Sequence, residues 1–140
     1  MKELFKGLAM EQRPFGWQEH PVVHIDFSLG ALDSPEDLER FVGSHLDQYS
    51  REYGLILKEE QVSMRFAELI RKLAATDRVV VLIDEYDKPI LDNINSDNLS
   101  AIKRMLEGFY TVIESADPYL RFVLLTGVSR FSKVSLFSNL

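Results

Sequence analysis

The segment from Val79 to Ile90, with the sequence VVVLIDEYDKPI, constrains the fold of this chain more than any other. Its first five residues are apolar, mostly β-branched, and show no alternation with polar residues. Such a run is typical of a strand buried on both faces of a parallel sheet that helices cover. An adjacent pair of acids, Asp84 and Glu85, follows directly. Because open α/β folds bind ligands at the carboxyl edge of the sheet, we expect these acids at a ligand-binding edge.

An apolar strand that ends in two adjacent acids has the layout of a Walker B element. In that layout Asp84 would hold a nucleotide-bound Mg²⁺, usually through water. Glu85 would orient or deprotonate the attacking water. The same residues are equally consistent with a core strand that emerges into an acidic, solvated turn. The motif alone leaves both interpretations open.

The rest of the chain predicts two further strands, Val22–Phe27 and Phe122–Leu125, and three amphipathic helices. The first helix starts after Ser34, a hydroxyl cap followed by proline, and ends at Gly54. Apolar residues spaced by three and four predict a second helix at about Glu59–Ala75 and a third one before the last strand. This order predicts right-handed crossovers and a parallel sheet, with the strand that ends in acids in its middle.

Polar residues near the ends of these strands are further candidates for the site. Thr126 ends the last strand, and its hydroxyl could reach a water held by Glu85, because neighbouring strands lie ~4.8 Å apart. The alternative is a threonine that simply ends a strand at the Gly127 turn. Asp26 could face the same edge, although a turn-capping role is favoured. His24 is interpreted as a hydrogen-bonded structural histidine rather than a metal ligand.

The composition is that of one ordinary globular domain. The 140 residues are 46% hydrophobic and 27% charged, which argues against disorder. The chain has no cysteine, which suits a reducing, cytoplasmic location, and no apolar run approaches the ~18 residues of a membrane span. Its net charge of −6 disfavours a simple electrostatic contact with nucleic acid.

Several segments carry a resemblance to a known family: LFKGL at Leu4–Leu8, PVVHIDFS at Pro21–Ser28, VVVLIDEYDKPI, and FYTVIESADPYLRFVLLTGVSRFSKVSLFS at Phe109–Ser138. In content and order they resemble a bacterial family of AAA-ATPase-like proteins, in which a P-loop ATPase domain precedes a predicted nuclease-like domain of the PD-(D/E)XK type. The resemblance covers nearly all of the chain. It implies an α/β fold of the P-loop NTPase class (ASCE/AAA-like), a three-layer sandwich with a parallel sheet, and ATP and Mg²⁺ as ligands.

The resemblance, together with the chemistry of the side chains, suggests roles for individual residues. Thr126 corresponds to the sensor-like polar residue between the Walker B acids and the nucleotide. Arg130 could contact a γ-phosphate through its guanidinium, or it could pair with a nearby acid. Asp87 matches a motif position and is expected to accept a hydrogen bond that holds the DEYDKP turn. Lys88 is expected in a structural salt bridge.

One element of that family is missing from this sequence. There is no G-x-x-x-x-G-K-(S/T) motif, which in the family lies upstream of the equivalent of Lys2, and the family pattern continues past Leu140. We therefore expect residues 1–140 to be a single partial ATPase domain that lacks the phosphate-loop strand, with 1–19 as an N-terminal arm and 20–140 as the α/β core. ATP binding and hydrolysis are expected only in the full-length protein, where contact with nucleic acid would belong to another domain.

Two alternatives stay open. The chain could be a non-catalytic interaction or regulatory module that keeps the fold, which the absent phosphate loop favours. It could also be a metal-dependent phosphoryl hydrolase that uses Asp84, Glu85 and Asp87 directly, although such a site needs more ligands than the sequence supplies nearby. The resemblance also implies that the phosphate-loop strand lies beyond Phe122–Leu125, so its absence would leave Phe122–Leu125 as an unpaired apolar edge, and self-association is predicted.

Overall fold

The structure is a computed structural model that describes residues 2–12 and 17–128, and a three-stranded parallel sheet organises it. The strands are β1 at Val22–Asp26, β2 at Val79–Asp84 and β3 at Leu120–Leu125. They lie in the order β1–β2–β3, and both pairs of neighbours run parallel. The sequence prediction of a parallel sheet with β2 in the middle is confirmed.

Helices connect these strands in the described part of the chain. They are α1 at Pro35–Glu52, α2 at Val62–Leu73, α3 at Lys88–Asp92 and α4 at Leu99–Ser115, with 3-10 turns at Lys2–Phe5, Phe27–Leu29 and Asp117–Tyr119. α1 begins as predicted, because the Ser34 hydroxyl accepts a hydrogen bond from the Asp37 amide at 3.1 Å. Gly54, with a φ of 62°, lies just beyond its end. The sequence predicted only a turn at α3, where Pro89 near the start permits a short helix.

The core lies on one face of the sheet. Alternate residues of β1 and β2 are buried, namely Val23, Ile25, Val79, Val81 and Ile83. They form a single cluster with the apolar stripes of α1, α2 and α4, and these helices also contact one another. Since full burial of one such side chain contributes about 1.5–3 kcal/mol, this face supplies most of the driving force for folding.

The opposite face is only partly covered by the residues that the structure describes. Val80 and Leu82 of β2 are half-buried there, while Phe122 and Leu124 of β3 are 54% and 45% exposed. The sequence predicted burial of the central strand on both faces, but β2 alternates between buried and half-buried residues. The reason is that the helical layer lies on one side. The described residues thus form two layers, and the third layer of the predicted three-layer sandwich stays a prediction.

The two outer edges of the sheet differ. At β1, the Tyr49 hydroxyl of α1 accepts a hydrogen bond from the His24 amide at 2.8 Å and donates one to the His24 carbonyl at 3.0 Å. Burial raises the pKa of Tyr49, so the phenol stays neutral and can fill both roles. Backbone groups that a further strand would need are therefore occupied at β1. Within the described ranges, no strand pairs with the outer edge of β3.

The segment that precedes β1 lies near the amino ends of the strands. The ring of Trp17 contacts that of Phe5, with 5.1 Å between their centroids. Gln18 donates a hydrogen bond to Asp77, just before β2, and His20 lies 3.4 Å from the same carboxylate. These contacts are remote from the carboxyl edge. The division into an arm at 1–19 and a core at 20–140 stays a prediction.

Candidate functional site at the carboxyl edge of the sheet

Polar residues from all three strands meet at the carboxyl edge of the sheet. The register places Asp26 of β1 opposite Asp84 of β2, and Ile83 of β2 opposite Leu125 of β3. Thr126 directly follows β3 and lies beside Asp84, where its amide donates to the Ile83 carbonyl at 2.9 Å. The parallel register, rather than proximity in sequence, brings these residues together.

Asp84 is held from two sides by hydrogen bonds. Its Oδ1 accepts one from Thr126 Oγ1 at 2.7 Å, and its Oδ2 lies 2.8 Å from His24 Nε2. The bond from Thr126, followed by that from His24, lowers the pKa of Asp84, so this carboxylate is ionised at neutral pH. Since a carboxylate only accepts hydrogen bonds, His24 Nε2 must carry the proton between them. The Asp84 side chain is 42% exposed and therefore open to a ligand.

Two residues of β1 flank this acid. The sequence predicts a hydrogen bond for His24, and the structure supplies Asp84 as its partner. The alternation of side chains along a strand is enough to predict that His24 and Asp26 share a face of the sheet. Which residue of β2 the His24 side chain reaches depends on the register, which the sequence does not show. Asp26 accepts a hydrogen bond from the Ser28 amide at 2.9 Å, and hydrogen bonding with Ser28 lowers its pKa. This geometry agrees with the predicted turn-capping role.

Glu85 has an unusual backbone conformation. Its φ of 55° lies in the left-handed region, which costs a residue other than glycine roughly 1–2 kcal/mol. The turn is stabilised by Thr126: the Glu85 amide lies 3.4 Å from its Oγ1, and the Tyr86 amide donates to its carbonyl at 2.9 Å. Strained residues of this kind cluster at functional sites. The backbone thus turns directly after Asp84, with the half-buried Glu85 at the turn.

Asp87 joins the DEYDKP turn to the chain that follows β3. It is 1% exposed, and its Oδ1 accepts a hydrogen bond from the Val128 amide at 3.3 Å. Gly127 permits this close approach, because a Cβ at that position would lie 2.6 Å from both Asp87 Oδ1 and Tyr86 Cε1. The contact agrees with the prediction that Asp87 holds this turn through a hydrogen bond.

The sequence analysis also predicted roles near this edge for two cationic residues, Lys88 and Arg130. Lys88 forms an ion pair with Asp92 one turn along α3, in agreement with the predicted structural salt bridge. Arg130 lies outside the described residues, so its contact with a phosphate or an acid stays a prediction.

The geometry suits an indirect Mg²⁺ site better than a direct one. The described residues contain no group of three or more histidines and acids that could hold a metal ion. Asp87 is buried and bonded to Val128, which argues against the hydrolase with three direct acidic ligands. Mg²⁺ commonly keeps several waters and binds through one or two carboxylates together with substrate phosphates. The ionised, partly exposed Asp84 fits that mode.

Two surface cavities lie on the helical layer, away from this edge. One, of about 350 Å³, is lined by residues of α1, α2 and α4 such as Val62 and Met105. The other, of about 370 Å³, lies between α2 and the end of α4. Neither is lined by Asp84 or Thr126.

A parallel sheet with an ionised acid at the carboxyl end of its central strand defines the class of this protein. It is an α/β protein whose architecture is compatible with part of a nucleotide-binding fold. The chain belongs to the AAA-ATPase-like family, described as predicted AAA-ATPases, whose model matches residues 1–137. The family resemblance seen in the sequence is confirmed.

A relative of this chain is found in Azotobacter chroococcum mcd 1, where it is described only as an uncharacterized protein in the vnfD 5′ region. The two are 42% identical over 140 residues, which is 98% of this chain. The chain spans only 27% of the length of that relative. No solved structure matches this chain. None of the described helices combines the length and apolar composition that crossing a membrane requires.

Proposed function

We propose that this chain is part of the ATPase domain of a larger AAA-like protein, with β2 as the Walker B strand and β3 as the sensor-like strand. The observation that carries the proposal is the Asp84 carboxylate, ionised and held between His24 and Thr126 at the end of the central strand. The phosphate loop, absent from this sequence, would come from another part of the full-length protein. Membership in the AAA-ATPase-like family supports this proposal. The relative in Azotobacter chroococcum mcd 1 also supports it, because this chain spans only 27% of the length of that larger protein.

Each site residue has a distinct proposed role. Asp84 would hold water ligands of Mg²⁺, and the bound ion would neutralise charge on the phosphates of ATP. Glu85, the next residue, would orient the attacking water and accept its proton. Thr126 would hold Asp84 in place and contact the same water through its hydroxyl. Arg130 would contact the γ-phosphate.

A pair of charge-removing variants of the full-length protein tests this proposal. Asp84→Asn keeps the shape of the side chain but removes its charge, and it should weaken Mg²⁺-dependent ATP binding by at least about tenfold. Asp26→Asn is the matched control, because it lies one strand away at the same edge and can still accept from the Ser28 amide. Calorimetric titration with ATP and Mg²⁺ measures both. Equal affinity in the wild type and Asp84→Asn would contradict the proposal.

The second candidate function is a non-catalytic interaction or regulatory module that keeps this fold. The observation in its favour is the sequence itself, which lacks the phosphate-binding motif. The reading frame upstream of Met1 separates the two candidates, since a G-x-x-x-x-G-K-(S/T) motif there supports the ATPase and its absence supports the module. For either candidate, the net charge of −6 disfavours contact between this chain and nucleic acid, so a nucleic-acid role, if there is one, would belong to another domain of the full-length protein.

A further inference from the structure

We propose that His24 is a positioning residue that orients the carboxylate of Asp84 for the metal. This rests on the function proposed above, and it adds a residue of β1 to a site otherwise built from β2 and β3. In this role His24 acts through Asp84 and does not itself bind the nucleotide or the metal.

His24 and Asp84 share one face of the sheet. His24 lies opposite Leu82, and Asp26 lies opposite Asp84. Because alternate residues of a strand share a face, His24, Leu82 and Asp84 all lie on the face opposite the core. The imidazole reaches diagonally across the strand pair, so that Nε2 comes within 2.8 Å of Asp84 Oδ2. With 46% of its side chain exposed, His24 has no core-packing role that would explain its presence there.

The backbone of His24 is fixed independently of its side chain. The Tyr49 hydroxyl bonds both its amide and its carbonyl, at 2.8 and 3.0 Å. Tyr49 belongs to α1, and this helix is held in the core by Leu46 and Val42, which are fully buried. The imidazole therefore extends from a part of β1 whose backbone is held in place. Local fraying of the edge strand should for this reason displace the side chain of His24 only little.

The two hydrogen bonds together define the orientation of the Asp84 carboxylate. Thr126 holds Oδ1 and His24 holds Oδ2, so rotation of the carboxylate plane would break both bonds. Each oxygen accepts one described bond and keeps capacity for another, which is available to metal-bound water. Partners that orient a metal-binding residue typically change metal affinity by about 10–100-fold when they are removed.

The test uses Mn²⁺ in place of Mg²⁺, with ATP and the full-length protein, and it measures bound Mn²⁺ by electron paramagnetic resonance. His24→Val removes the donor and suits an exposed strand position, so the fold should persist. His24→Gln places an amide donor near the position of Nε2. Val22→Gln is the matched control, on the same strand and face but two residues further from Asp84. Thermal unfolding checks that each variant is folded.

We expect His24→Val to weaken Mn²⁺ affinity by about tenfold, His24→Gln to restore most of it, and Val22→Gln to leave it unchanged. If the wild type binds Mn²⁺–ATP and His24→Val binds Mn²⁺ with the same affinity, the inference is overturned and the proposed function stays intact. Equal losses in His24→Val and His24→Gln would also overturn it, because a donor would not be what matters. A wild type that does not bind Mn²⁺–ATP would overturn both proposals.

Discussion

The Thr126 hydroxyl donates a 2.7 Å hydrogen bond to Oδ1 of Asp84 across two neighbouring strands. This bond is the largest of the causes that lower the pKa of Asp84. The carbonyl of Thr126 also accepts the Tyr86 amide at 2.9 Å, so a single residue after β3 is bonded to the strand end and to the turn that follows it. The ionisation of Asp84 is therefore coupled to the position of the chain after β3.

Loss of this hydroxyl should raise the pKa of Asp84. Thr126→Val removes the hydrogen bond to the ionised carboxylate and keeps the shape of the side chain, so the pKa should move up towards its ordinary value of 3.8. Carboxyl-carbon NMR during an acid titration of this chain measures the shift. Thr126→Ser retains the hydroxyl and should keep the low pKa. An unchanged pKa in Thr126→Val would show that the bond does not exist in solution.

Replacement of Glu85 by glutamine should separate nucleotide binding from hydrolysis. In the full-length protein, Glu85→Gln keeps the shape but cannot take a proton, so turnover should fall by about 10²–10⁴-fold while ATP affinity changes little. Steady-state hydrolysis and equilibrium binding measure the two effects. Glutamine also keeps a β-carbon at the position where φ is 55°, so backbone strain is the same in both proteins. Unchanged turnover would remove Glu85 from the role of base.

The 140-residue chain alone should bind ATP and Mg²⁺ only weakly. Phosphate affinity usually originates in backbone amides at a helix N-terminus, and the motif that provides them is absent from this sequence. We expect a dissociation constant no tighter than about 1 mM. Isothermal titration calorimetry measures it. Micromolar binding would require a different phosphate site within these residues.

Glu68 should make the stability of the fold sensitive to acid. It is buried on α2, its carboxylate pairs with Lys72 at 2.7 Å, and it accepts hydrogen bonds from the amides of Lys58 and Glu59 at 2.8 and 3.0 Å. The bond from Lys72, followed by that from Glu59, lowers its pKa from 4.5 to about 2. Because the folded pKa is the lower one, this stabilisation is complete above pH 4.5 and is lost as the pH falls towards 2.

Urea unfolding at several pH values measures this effect. Stability should fall between about pH 5 and pH 2 in the wild type, and the slope should be smaller in Glu68→Gln, which cannot titrate. Glu60→Gln is the control, since Glu60 is an exposed acid of the same region. If Glu60→Gln changes the slope as much as Glu68→Gln does, the hydrogen bonds and the ion pair of Glu68 are not the cause of the pH dependence.

Local patterns in the sequence were sufficient for the three strands, the three longer helices and their order, but they did not predict the short helix α3. The cap at Ser34 fixes the start of α1, and the apolar run before Asp84 marks β2. The same run could not show that helices cover only one face of β2, because a continuous apolar strand fits either arrangement. The contact between His24 and Asp84 joins residues 60 positions apart, and it depends on the strand register.

Tertiary packing also decides features that local patterns leave open. The Tyr49 hydroxyl meets the backbone of His24 because α1 packs beside β1, and nothing in the helical spacing of Tyr49 indicates that contact. The strained turn at Glu85 likewise depends on a residue distant in sequence, since it is stabilised by Thr126, 41 residues away. The sequence therefore supplied candidates for the site, which stay predictions, whereas the hydrogen bonds between them depend on tertiary packing.

The outer edge of β3 should cause this chain to self-associate. The two sheet edges differ, because Tyr49 occupies backbone groups of β1 while no described strand pairs with the outer side of β3. Phe122 and Leu124 of β3 are also 54% and 45% exposed on the open face. An apolar, unpaired edge pairs readily with another chain, so a second copy of this chain should bind there.

Light scattering coupled to size exclusion, at increasing protein concentration, measures this association. Leu124→Lys should shift the chain towards the monomer, because a lysine on an edge strand opposes pairing with a second strand. Ile56→Lys is the matched control, since Ile56 is 75% exposed but lies between α1 and α2 and belongs to no strand of the sheet. If association instead involved any exposed apolar residue, both lysines would reduce it equally. A wild-type chain that stays monomeric at high concentration would show that the β3 edge does not recruit a second copy.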